Sequence, residues 1–125
     1  MWTAAQQVVT GTQVVPRLVF HKLNAQQLSR LKGKLYWDAD TQAVLGPALL
    51  QLLGDRWDRF DASFQTTGPL VYNQGMLSGR GRTAEVLAAF EFQPGGLVVA
   101  SLMEQGRCTE FGPVNPGYLC HRLAR

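Results

Sequence analysis

The sequence has no run of about 18 apolar residues, so it offers no ordinary membrane-spanning helix. Histidine and cysteine are scarce, two of each, and His21, Cys108, Cys120 and His121 do not fall into the C-x2-4-C or H-x3-5-H spacing of a structural zinc site. No metal or other cofactor is therefore expected. Internal repeats, low-complexity tracts and linkers are missing, and the chain reads as one domain over residues 1–125. The basic excess is slight, 12 Lys and Arg against 9 Asp and Glu, which is too little to imply nucleic acid. The first residues, M-W-T-A-A-Q-Q-V-V, lack both a basic segment and a long apolar segment. Taken at face value this is not an exported chain. A chain whose leader had been removed would look the same, so the compartment stays open: periplasmic in that case, cytoplasmic otherwise.

What is present is a globular composition, 46% hydrophobic and 17% charged. At 125 residues such a chain can bury a core without staples. Cys108 and Cys120 permit one disulfide in an oxidising compartment or two buried thiols in a reducing one. Residues 3–9 have the pattern of a short helix, and Arg17 to Leu23 has strand-like composition. Asn24 suits the cap of a helix over Ala25 to Lys32, ended by Gly33. The strongest helical signal runs from Gly46 to Phe64. There Leu49, Leu52, Leu53, Trp57, Phe60 and Phe64 recur at helical spacing, with Pro47 suited to the first turn. Asp55 and Arg59 are placed for an i,i+4 pair, and Gly54 marks a place where this helix could break in two.

After Thr66-Thr67-Gly68-Pro69 the period changes. Pro69 to Met103 contains three apolar segments separated by two glycine-rich stretches, S-G-R-G-R-T and Q-P-G-G. Val86, Ala88, Phe90 and Phe92 alternate along one strand face, and Pro94-Gly95 has the signature of a type II turn. Leu97 to Met103 reads as the next strand, stopped by Gln105-Gly106, and Arg107 to Phe111 can add another. The tail carries Gly112-Pro113 and Pro116-Gly117 and reads as loop, with a helical turn or two at most over Tyr118 to Leu123. The expected architecture is α+β: an antiparallel sheet of consecutive hairpins packed against one long and one or two short helices.

Several chemistries have partial signatures among these residues. Gly79, Gly81 and Ala84 spell G-x-G-x-x-A, but a strand rather than a helix follows, so a dinucleotide loop does not fit. Cys120 and His121 are sequence neighbours and do not make a nucleophile and base unless the fold brings a partner to them. Asp38/Asp40 and Asp58/Asp61 read as helix-flank and surface carboxylates, the first pair favourable before a helix. Tyr36, Trp37 and Trp57 read as core or core-edge anchors. No catalytic residue is assigned. Arg80 and Arg82, alternating with glycine in an expected tight turn, are suited to carboxylate recognition by their planar forks.

The stretches L-L-G-D-R-W-D-R-F, T-G-P-L-V-Y-N-Q-G-M-L-S-G and V-L-A-A-F-E-F-Q-P-G-G-L-V-V-A-S-L-M-E-Q-G, between Leu53 and Met103, resemble the inhibitor-of-vertebrate-lysozyme (Ivy-like) family. The resemblance implies an antiparallel sheet with helices on one side and a bacterial protein, typically periplasmic. It implies no enzymatic activity but binding to a lysozyme-like cell-wall hydrolase, as an inhibitor or an immunity-type protein. The family presents a loop, often C-K-P-H-D-C, to its partner. The corresponding residues here are Ser78, Gly79, Arg80, Gly81, Arg82 and Thr83, which contain neither cysteine nor histidine, so no inhibitory residue is carried over. A different expectation is a small ligand-binding domain or enzyme with a pocket between helix and sheet. A sheet edge or helix face could also support a homodimer. Neither nucleic acid nor membrane is an expected partner.

Overall fold

The computed structural model describes residues 11–34, 36–64, 70–113 and 119–120. Strands β1 (Gly11–Pro16), β2 (Leu70–Asn73), β3 (Met76–Arg82), β4 (Val86–Phe92), β5 (Val98–Glu104) and β6 (Arg107–Gly112) form one six-stranded sheet in the order β1-β6-β5-β4-β3-β2. From β2 to β6 every neighbour is antiparallel, as hairpins require. The α+β architecture is the one read from the sequence. The edge strand β1 departs from it by running parallel to β6. The strand-like stretch Arg17 to Leu23 lies outside β1 and contributes only a bridge from Phe20 to Leu97. Residues 3–9, and the stop at residues 66–69, lie outside the described residues.

Turn chemistry sets the hairpins. Gln74 and Gly75 both have positive φ, +54° and +82°, as do Gln105 and Gly106, +53° and +77°. Two such residues make the tight turn whose twist matches paired strands. The segment Pro69 to Leu77, read as one apolar piece, is therefore folded back on itself, with β2 pairing β3 from Leu70↔Gly79 to Asn73↔Met76. At the next turn Gly96 N–H donates to Gln93 O at 2.8 Å. The positive φ there belongs to Gly96 (+91°) and not to Gly95. The turn is thus type I followed by a left-handed glycine, in place of the expected type II.

Helix α1 (Ala25–Leu31) is capped by Asn24, whose side chain accepts from Gln27 N while the Gln27 side chain accepts from Asn24 N, a reciprocal capping box. The expected helix over Gly46 to Phe64 is two helices. Helix α2 (Ala39–Leu53) begins seven residues earlier than expected, because the Asp38 side chain accepts from Thr41 N and caps it. Pro47 consequently sits inside α2. The chain then breaks at Gly54 (φ +60°) into a 3-10 turn, Gly54–Arg56, before α3 (Trp57–Phe64). The Arg17 guanidinium donates to Leu52 O at 2.9 Å, satisfying a carbonyl that the end of α2 leaves open.

Helix α2 packs on β5 and β6, and α3 on β3 and β4. Of the predicted stripe, Leu49, Leu52, Leu53, Phe60 and Phe64 are buried in the core, joined by Leu45, and meet Ala88, Phe90, Phe92, Val98, Ala100 and Phe111, while Trp57 is half-buried and packs against them. Trp37 lies against Phe64 and Phe90, and its Nε1–H donates to Asp61 Oδ1 at 2.8 Å. Asp61 also accepts from Gln42 Nε2 at 2.9 Å, so it ties α3 to α2 and to the segment before α2 and is not merely a surface carboxylate. Tyr36, expected at the core edge, is 66% exposed because it lies outside the aromatic cluster. Arg59 pairs with Glu104 at 3.0 Å, and no ion pair joins it to Asp55.

The sheet is buried on its other side as well. Leu87, Ala89, Val99 and Met103 form a second cluster with Cys108, Leu119 and Cys120. Cys108 and Cys120 are joined in a disulfide, with Cα atoms 5.9 Å apart. Of the two states the sequence permits, the structure holds the bonded one. Buried Glu110 accepts from Leu119 N and Cys120 N, which gives its carboxylate a donor pair on that face.

Candidate functional site

Ser78 to Arg82 do not form a turn. They belong to β3, paired in register with β4 as Ser78↔Glu91, Gly79↔Phe90, Arg80↔Ala89, Gly81↔Ala88 and Arg82↔Leu87. The glycines are there for close packing. A Cβ on Gly79 would lie 2.6 Å from the Phe90 ring, and one on Gly81 would lie 2.8 Å from the Ser63 carbonyl carbon. Helix α3 thus rests directly on the β3 backbone. Glycine-rich composition reads as a turn in the sequence, whereas here it records the approach of a helix.

Alternation along β3 then sends Ser78, Arg80 and Arg82 to the face turned away from α2 and α3. Arg80 and Arg82 are exposed there, and Ser78 is half-buried. The register makes Arg80 a diagonal neighbour of Glu91, which is 1% exposed. The turn itself comes after Arg82. Thr83 N–H donates to Val86 O at 2.9 Å, and Thr83 Oγ1 accepts from Glu85 N and Val86 N, leaving Ala84 and Glu85 at an exposed tip. Of the six residues singled out in the sequence, the structure brings the two arginines to one exposed face and turns the two glycines inward.

The same end of the sheet gathers further arginines from distant parts of the chain. Val86 pairs with Glu104, Glu104 with Arg107, and Arg107 with Gly11, so the first residue of β1, the β5–β6 turn and the end of β3 lie side by side. On the helix side of this edge is a cavity of about 470 Å³ lined by Gln13, Arg56, Arg59, Glu104, Arg107 and Thr109 among others. Arg56 Nη1 donates to Thr109 Oγ1 at 2.8 Å, and its guanidinium lies 5.5 Å from the centre of the Phe111 ring, a cation–π distance. Nothing in the sequence marks this set, because its members are separated by up to about a hundred residues and share no motif.

Among the described residues no group of three His, Cys, Asp or Glu side chains is placed to hold a metal ion, and no helix is long and apolar enough to cross a membrane. His21 lies edge-on to Phe92, and its backbone N–H donates to Gly96 O in the β4–β5 turn. This is the opposite end of the sheet from the β5–β6 turn that precedes Cys108. His121 lies outside the described residues. No protein-family model, curated protein or solved structure matches the chain.

Proposed function

We propose that the chain is a non-enzymatic protein-binding module whose docking element is the outward side of β3, with a lysozyme-like cell-wall hydrolase as its partner. The observation that carries this reading is the pair Arg80 and Arg82, exposed side by side on the strand face turned away from α2 and α3. On a paired strand their backbone is already ordered, so binding loses less entropy than a mobile loop would. Two guanidinium forks on alternate residues suit a surface or cleft that presents carboxylates. Glycosidases carry their catalytic carboxylates as a pair. The disulfide between Cys108 and Cys120 suits an oxidising compartment, where such enzymes act. The resemblance between Leu53 and Met103 supplies the class of partner.

The test is inhibition of muramidase activity by the purified protein. Wild type is expected to lower the rate with at least one of several lysozyme types, and Arg80→Ala with Arg82→Ala to abolish the effect. Both side chains are exposed, so the double variant should keep the wild-type fold, checked by its melting curve. Full muramidase activity of every lysozyme type in the presence of a stoichiometric excess of the purified protein removes the reading.

A further inference from the structure

We infer that the cavity between the Gly54–Arg56 turn, α3 and the β5–β6 edge is a binding site for a small oxyanion, a carboxylate or phosphate group. It lies on the helix side of the sheet, away from Arg80 and Arg82, and does not depend on the reading of β3 as a docking strand.

The cavity wall carries an excess of positive charge. Arg56, Arg59 and Arg107 line it, and Glu104 is the one acidic side chain among its described lining residues. Glu104 is engaged by Arg59, Oε1 to Nε 3.0 Å. That approach is close in distance but does not form an aligned hydrogen bond, since Glu104 Oε1 is buried without a donor pointed at it. Among the described residues neither Arg56 nor Arg107 has a carboxylate within ion-pair distance. Two guanidinium groups therefore face this space with no described carboxylate at ion-pair distance.

Arg56 is the more telling of the two. It is half-buried, and a cation removed from water is costly unless a partner offsets the loss. Its only described side-chain partners are the Thr109 hydroxyl and the Phe111 ring. Each uses part of the fork and leaves other N–H groups for a ligand, since arginine has five donors and no acceptor. The hydroxyl and the ring also fix the guanidinium in place, so it is pre-oriented rather than swinging free. Arg107 stands exposed at the mouth, one residue beyond the Gln105-Gly106 turn. A cavity of about 470 Å³ lies within the range that small-molecule sites occupy. Gln13 and Thr109 add neutral polar groups to the wall. A site with two uncompensated guanidinium forks and uncharged polar flanks selects for anions with planar or tetrahedral oxygen pairs.

The experiment is titration of the full chain by calorimetry with sodium phosphate and, separately, with sodium glutarate, at constant ionic strength set by sodium chloride. Saturable one-site binding of either probe is expected. Saturation by phosphate alone identifies a phosphoryl ligand, and saturation by glutarate identifies a carboxylate. Arg107→Gln removes an exposed side chain and should fold as wild type, yet weaken binding about tenfold, the loss of a charge-assisted bond. Arg56→Lys keeps the charge but loses the fork and should weaken it by a similar factor. Arg80→Ala with Arg82→Ala should leave binding unchanged, which separates this site from the docking strand. No saturable binding of either probe, or equal binding by wild type, Arg107→Gln and Arg56→Lys, overturns the inference.

Discussion

Gly81 of β3 lies directly beneath Ser63 of α3: a Cβ there would stand 2.8 Å from the Ser63 carbonyl carbon and closer still to its oxygen. The obstacle is backbone, held in a helix, and cannot rotate away. Gly81→Ala is therefore expected to cost about 1–3 kcal/mol through overpacking. Gly95→Ala is the control, because a Cβ at Gly95 meets nothing within 4 Å. It should fall within about 0.5 kcal/mol of wild type. Urea unfolding of both variants checks the pair, and equal stability of the two would mean that α3 does not rest on β3 as described.

The disulfide closes a loop between residues 12 apart and fastens Cys120 to β6. Such links are typically worth about 2–4 kcal/mol. Reduction, or Cys108→Ser with Cys120→Ser, should lower the melting temperature clearly. A melting curve unaltered by dithiothreitol would show that the cysteines are not bonded in solution.

Asp38 gives a pH dependence with a definite sign. Hydrogen bonding to Lys34, and then to the Thr41 backbone N–H, lowers its pKa from 3.8 to about 2. Because the folded value lies below the unfolded one, the stability this carboxylate adds is complete above about pH 4 and is lost as pH falls towards 2. Asp38→Ala should cost about 1 kcal/mol at neutral pH, the worth of an N-cap. The gap between variant and wild type should narrow in acid, as read by denaturant unfolding at several pH values. Lys34 is shifted the other way, raised from 10.5 chiefly by its hydrogen bond to Asp38. Its contribution is present at neutral pH and fades only in strong alkali.

Arg17 reaches across the fold to the last turn of α2, where its guanidinium donates to Leu52 O. A cation at a helix C-terminus also complements the helix dipole. Arg17→Ala should destabilise by about 1 kcal/mol, with Arg17→Gln recovering part of the hydrogen bonding but not the charge. Thermal unfolding at low and high salt separates the two contributions, since only the charge is screened.

Much of the fold was legible because its signals are local. The alternation of Val86, Ala88, Phe90 and Phe92 assigns one face of β4 to the helices, and Leu87 and Ala89 to the second cluster. The Asn24 cap of α1 is a local signal and was read, whereas the reciprocal bond to the Gln27 side chain came only with the structure. The start of α2 was harder, because Pro47 mimics a first-turn proline while the true cap, Asp38, is set apart from the apolar stripe. Gly79 and Gly81 misled for a physical reason. Glycine is favoured both where the chain must turn and where another backbone comes close, and composition does not separate the two.

The amino-acid order alone showed the apolar stripe of the helices, the strands β4, β5 and β6 and the turns at residues 93–96 and 105–106, because periodicity and turn preference act over a few residues. Tertiary structure decided that Arg80 and Arg82 stand on a paired strand, that Cys108 reaches Cys120, and that Arg56, Arg59 and Arg107 share one cavity wall. Those outcomes depend on strand register and on where a helix lands on the sheet, which are set by packing between residues far apart in the chain.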